Sequence, residues 1–301
     1  MEDEGGTAMA PFGQVLTAMI TPFDGNGNVD YQQVWNLAAH LVENGSDGLV
    51  VTGTTGESPT LTADEKVALY RTVVESVGNR ATVVAGTGSN NTAASIELTR
   101  RAVDVGCDAV MAVAPYYSKP SQSGLLAHFT AIADASDVPV LLYNVPGRTG
   151  RLIEVDTLAE AAHHPKIVAV KDAVMDIDHT AHTRMAAPDD FAIYSGQDSY
   201  TLAMMTVGAV GVVSVTSHLV GRQIKRMIEA FSKGDVEEAM RINYGLMPIS
   251  YACFAEPNPM PVKAAMNRLW GPVGSPRLPL LPASAATVDA IERALGIAQD
   301  L

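Results

Sequence analysis

The chain has 301 residues, with 20 Lys and Arg against 33 Asp and Glu, a net charge of −13 and a pI near 4.9. An acidic surface of this kind disfavours nucleic acid and anionic membranes as partners, but it leaves small acids open, because one cation can dominate a pocket. The mildly positive mean hydropathy fits a globular fold with a large core, no uncharged apolar run reaches the ~18 residues of a membrane span, and Cys107 and Cys253 form no C-x-x-C pair and suggest no disulfide framework.

The chain opens on MEDEGGTAMAPFG, acidic and glycine-rich, without the basic and apolar regions of a signal peptide or the Arg/Ser bias of a transit peptide. Residues 1–13 are expected to form a flexible tail, and the setting is expected to be cytoplasmic. Eight short apolar runs then recur at similar spacing: 14–23, 47–51, 82–88, 109–115, 140–146, 167–173, 191–197 and 210–216. Most are continuously apolar rather than alternating, as strands of a parallel sheet covered on its outside read. Amphipathic segments such as DYQQVWNLAAHLVENG lie between them, several ending near Gly, and Thr62 to Glu65 has a capping-box pattern. Eight β-then-α units over 14–233 predict a (β/α)8 TIM barrel. A doubly wound sheet is the alternative, which the eightfold count disfavours. From 234 to 301 the pattern is helical only and predicts a C-terminal extension packed on the barrel.

In such barrels the chemistry sits where strands end and βα loops begin. The second strand leaves through Thr52-Gly53-Thr54-Thr55-Gly56-Glu57. Glycines let a turn expose consecutive N–H groups as an anion cradle, with the hydroxyls of Thr54 and Thr55 as further donors; the plain alternative is a turn with no ligand. The fourth strand ends in PYYSKP, offering Tyr116, Tyr117 and Lys119. The fifth ends in YNVPGRT. There Tyr143 is either packing or a phenol able to shuttle protons, and Arg148 is either a surface charge or a fork for a carboxylate. The sixth ends in Lys171-Asp172, after the run IVAV. A lysine buried there without a partner is disfavoured as ammonium and becomes an amine nucleophile. The bland reading pairs it with a carboxylate such as Asp172, although adjacent strand residues face opposite ways. His179 and His182 in HTAH read as a solvated helix face, and no metal cluster, phosphate loop or dinucleotide fingerprint is present.

Taken in order, TAMITPF, GTTGES, PYYSKPSQSGL, YNVPGRT, VKDA, YSGQD, GVVSVT and NPMPVK make the chain resemble the pyruvate-dependent class I aldolases over nearly its whole length. The Gly-Arg-Thr ending of the fifth-strand motif is similar to the dihydrodipicolinate synthase branch rather than to the sialic acid or sugar-acid lyases. The resemblance implies that Lys171 forms a Schiff base with pyruvate, and that Tyr143, Thr54 and Tyr117 relay protons, with Tyr117 entering from a neighbouring subunit of a homotetramer built as a dimer of dimers. It further implies that Thr54 and Thr55 hold the pyruvate carboxylate, that Arg148 receives the carboxylate of L-aspartate-4-semialdehyde, and that Gly196 and Val213 line the pocket. No metal or organic cofactor is implied. The rivals are a Schiff-base aldolase of a sugar acid and a non-catalytic barrel that binds a keto acid. In lysine-sensitive members the resemblance finds Ser58, Asn90 and Tyr116, but Ala94 stands where they carry Glu, and Ala63 and Lys66 replace His. Weak or absent feedback by L-lysine is therefore expected, with Glu97, one turn on, placed poorly for rescue.

Overall fold

The computed structural model describes residues 9–301. Eight strands, β1 Val15–Ala18, β2 Gly48–Val51, β3 Thr82–Gly86, β4 Ala109–Val113, β5 Val140–Asn144, β6 Ile167–Asp172, β7 Ala192–Ser195 and β8 Gly211–Ser214, pair in parallel and in sequence order, and β8 returns to β1 to close a barrel. The predicted TIM barrel is thus the observed fold. Every predicted apolar run contains one strand. The barrel helices are α1 Tyr31–Glu43, α2 Ala63–Val77, α3 Thr92–Asp104, α4 Gln122–Asp134, α5 Pro146–Thr149, α6 Val155–Ala162, α7 Ile177–Ala186, α8 Thr201–Met205 and α9 Ser217–Ser232. The extension adds α10 Val236–Ala252, α11 Met260–Leu269 and α12 Ala285–Gln299.

Local chemistry explains where the helices begin. Asp30, Thr62, Asn91, Ser121, Asp176, Asp235 and Ser284 each accept a first-turn N–H with the side chain. The capping box read from the sequence is complete at Thr62 and Glu65. Three apolar layers follow. The lumen holds Leu16, Val50, Val84, Met111, Leu141, Tyr143, Ala169 and Tyr194. A second layer seals strands against helices. A third joins Val220, Ile224 and Ile228 of α9 to Ile242 and Ile249 of α10 and Ile291 of α12, with Val15 and Val212 of the strands beneath. The extension therefore packs on the β8–β1 side of the barrel. Of the segment 1–13 expected as a tail, residues 1–8 lie outside the described residues. Phe12 is buried at the N-terminal mouth of the barrel, stacked on Tyr194, whose hydroxyl accepts from the Phe12 N–H.

Two buried histidines are expected to make the fold acid-sensitive. His218 donates from Nδ1 to the Val215 carbonyl at 2.8 Å and accepts at Nε2 from the Ile20 N–H at 3.2 Å, which requires the neutral ring. Burial pushes its pKa, and that of His128, from 6.5 down to about 4. Because the unfolded chain binds these protons first, their contribution is present above pH 6.5 and lost as pH falls toward 4. The expected loss is on the order of 2–3 kcal/mol for each ring by pH 4. Urea unfolding at pH 7 and pH 4.5 checks this. Equal stability at the two values contradicts it, and His218→Gln should flatten the dependence.

Candidate active site

Strand register places the predicted groups. Tyr143 of β5 pairs with Lys171 of β6, both at the C-terminal ends of their strands. Both side chains enter the lumen, and Lys171 is only 5% exposed. Its Nζ lies 4.3 Å from the centroid of the Tyr143 ring. No carboxylate pairs with it among the described residues. Asp172 does not, because it faces outward between barrel and helices, where it meets His179 Nδ1 and Thr180 Oγ1, each at 3.3 Å. The bland reading of Lys171 as half of an ion pair is therefore excluded by geometry.

His179 also corrects the expectation of a solvated HTAH face. His182 is exposed, but His179 is buried. Its Nδ1 faces the Asp172 carboxylate and its Nε2 faces the Ile153 carbonyl, both acceptors, an arrangement that favours the doubly protonated ring. Burial opposes that charge, but the hydrogen bond and charge of Asp172 outweigh it and raise the pKa. The Ile153 backbone is also held by Asn144, through Nδ2 to the carbonyl and Oδ1 from the N–H, both at 3.0 Å. A polar seam thus runs behind the barrel wall, and its members Asn144 and Asp172 directly follow Tyr143 and Lys171 in the chain.

A cavity of about 270 Å³ opens above Tyr143, lined among others by Thr54, Ser58, Met111, Tyr116, Arg148 and Tyr143 itself. One wall is the Gly-Thr-Thr-Gly turn. Thr52 enters it with φ +55°, Glu57 leaves it with φ +57°, and the N–H groups of Glu57 and Ser58 close it onto the carbonyls of Thr54 and Gly53. The N–H groups of Thr54 and Thr55 donate to nothing among the described residues. Such a pair of free amides is an anion cradle. Thr54 reaches the cavity, whereas the Thr55 hydroxyl lies deeper and accepts from Asn258 Nδ2 at 2.9 Å.

Arg148 sits in the single turn α5 on the cavity rim. It is exposed, and its guanidinium makes no ion pair among the described residues. Gly196 follows β7 and bonds the Asp172 carbonyl at 2.7 Å; a Cβ there would lie 2.7 Å from that of Ala173, so the close approach of β7 to β6 requires glycine. Val213 of β8 is buried in the lumen opposite Leu16 of β1. Neither Gly196 nor Val213 lines the cavity. Tyr117 does not join the site either. It is 90% exposed, at φ +71°, in a loop where Lys119 also has positive φ.

Sequence reasoning missed the groups behind the turn. Glu57 and Lys263 form an ion pair at 2.7 Å with both side chains fully buried. Burial pulls the Lys263 pKa down to about 8 against the opposing pull of Glu57. The motif NPMPVK carried the signal, a lysine in an otherwise uncharged stretch, but no partner could be read for it. Among the described residues no three His, Cys, Asp or Glu side chains converge as metal ligands, and no helix is long and apolar enough to cross a membrane.

Comparison with known proteins gives concordant results. Residues 11–298 match the dihydrodipicolinate synthetase family. The 4-hydroxy-tetrahydrodipicolinate synthase of Synechococcus elongatus is 52% identical over 286 residues, covering 95% of this chain and 96% of that protein. The structure of dihydrodipicolinate synthase from Bacillus anthracis superposes with a TM-score of 0.92 at 49% identity, covering 96% of this chain and 99% of that one. That of the enzyme from Cyanidioschyzon merolae, which has lysine bound, superposes with a TM-score of 0.94 at 46% identity over 96% and 99% of the two chains.

Proposed function

The chain belongs to the dihydrodipicolinate synthetase family, and from that premise we propose that it condenses pyruvate with L-aspartate-4-semialdehyde to give 4-hydroxy-tetrahydrodipicolinate, the first committed step toward lysine and diaminopimelate. The observation that carries the reading is the buried Lys171, without a carboxylate partner among the described residues, against the ring of Tyr143, which itself lines a cavity walled on one side by Gly53 and Thr54 of the turn whose Thr54 and Thr55 amides are free. The Lys171 amine adds to the pyruvate ketone, and water leaves as the Schiff base forms. Tyr143, with Thr54, carries the protons this exchange releases and consumes. The Thr54 and Thr55 amides hold the carboxylate. Loss of a methyl proton gives the enamine, whose carbon attacks the aldehyde. The substrate's amino group then displaces Lys171 at the imine carbon, which closes the ring and frees the enzyme. Arg148 holds the second carboxylate, and Gly196 and Val213 close the far side of the barrel mouth. The reaction requires neither a metal nor an organic cofactor, and its substrates are those of the cytoplasm. A coupled assay with a reductase that consumes the cyclic product tests the reading. Turnover of pyruvate with a sugar aldehyde but not with the semialdehyde would overturn it.

The working assembly is a homotetramer, a dimer of dimers in which Tyr117 of the partner subunit completes the proton relay. The exposure and left-handed backbone of this residue support that role, since strain of this kind is kept at working sites. Tyr117→Phe is expected to lower kcat by about 10²-fold with little change in either KM. An active monomer in light scattering contradicts the assignment.

Feedback is weak or absent. Ala94, exposed in the first turn of α3, offers no carboxylate to a lysine ammonium, and Lys66 of α2 is half-buried, its own pKa lowered by burial. A desolvated cation without a counter-charge is disfavoured by several kcal/mol. Initial rates titrated with L-lysine should change little below millimolar levels. Saturable submillimolar inhibition contradicts this.

A further inference from the structure

The turn that carries Thr54 and Thr55 is fastened by Thr21, whose hydroxyl donates to the Gly56 carbonyl at 2.7 Å, and by residues of the C-terminal extension more than 200 positions away. Lys263 of α11 places Nζ 2.7 Å from Glu57 Oε1, and the Arg277 N–H donates to Glu57 Oε2 at 2.8 Å. Asn258 donates to the Thr55 hydroxyl at 2.9 Å. The clamp is itself braced. The Lys263 ammonium and the Arg277 guanidinium lie 3.9 and 4.4 Å from the centroid of the Phe23 ring. Arg277 also holds both oxygens of Glu65 and the carbonyls of Gly27 and Thr60. Glu57 sits at φ +57°, a backbone state that a non-glycine residue holds only when its surroundings impose it. Packing alone does not call for a charged pair here, since apolar residues of similar volume fill such a space at least as well. The pair supplies direction, because it ties one end of the turn to a rigid helix.

We infer that Glu57 and Lys263 are positioning residues for recognition of the keto-acid carboxylate: their buried pair fixes the Thr54 and Thr55 amides toward the cavity and makes the C-terminal extension a working part of the site. This rests on the proposed binding of pyruvate by that turn. Small displacements of binding groups have large kinetic effects. Glu57→Gln, which keeps the shape but opposes an amide to the Lys263 ammonium, and Lys263→Met are each expected to raise the KM for pyruvate at least about tenfold, with the aldehyde KM changed less than about twofold. Asn258→Leu leaves the ion pair intact and removes one hydrogen bond to the turn. It is expected to raise the pyruvate KM about fivefold and decides the matter by the same split if the other variants do not fold. An unchanged pyruvate KM in folded variants overturns the inference. So does a parallel rise of both KM values that tracks a fall in Tm, the signature of a merely structural role. Borohydride labelling of the unmodified protein with pyruvate separates the two levels. No label there overturns the parent reading and this inference with it, whereas normal labelling with an unmoved pyruvate KM in the variants overturns this inference alone.

Discussion

Lys171→Arg is expected to lower turnover by more than about 10³-fold while leaving the fold intact, the scale on which loss of a covalent and acid–base group is felt. The side chain sits at the end of β6, enters an apolar lumen and rests on the Tyr143 ring at 4.3 Å. Arginine can keep that contact, because a guanidinium stacks on an aromatic face as readily as an ammonium does. It cannot supply a neutral amine, because guanidinium is not deprotonated in proteins. Stability and activity therefore separate. The thermal transition should stay near that of the unmodified protein, and the coupled assay should fall to background. Substantial activity in the arginine variant would place the nucleophile elsewhere.

Arg148→Ala is expected to act on only one substrate. Arg148 lines the cavity from α5, is exposed, and engages no acid among the described residues. A second carboxylate entering the cavity is the partner that its planar fork fits. Removing a charged, bidentate contact costs about 2–4 kcal/mol when the partner is desolvated, roughly a 30- to 1,000-fold loss in kcat/KM for the aldehyde. The pyruvate adduct, formed deeper at Lys171, should still be trapped. If trapping collapses while the aldehyde KM is unchanged, Arg148 belongs to the pyruvate carboxylate and the assignment of the two acids must be exchanged.

The sequence exposed what is local and periodic. The runs 82–88 and 109–115 contain β3 and β4, and the capping box at Thr62 opens α2, because burial on both faces and a free helix end each leave a short-range imprint. Lys171 was legible for the same reason, as a cation directly after the apolar run IVAV. What could not be read depends on distance in three dimensions. Glu57 and Lys263 are 206 residues apart, and neither neighbourhood announces the other. His179 looked solvated because its helix carries a weak apolar stripe; its burial is set by Asp172 and Ile153 on other elements. Phe12 follows an acidic, glycine-rich stretch that reads as a tail, yet it is buried against the Tyr194 ring, a contact 182 residues distant in the chain. Tyr117 is legible as a strand-end aromatic, but its role comes only through resemblance, since it is exposed in a loop of its own chain.

The central claim, that Lys171 is the group that takes pyruvate covalently, is tested most directly by reducing the protein with borohydride in the presence of pyruvate and mapping the label by peptide mass spectrometry. The account predicts one reduced pyruvyl group per chain, on the peptide that contains Lys171, and none when borohydride is added without pyruvate. Label on Lys263, on any other lysine, or on none would contradict it.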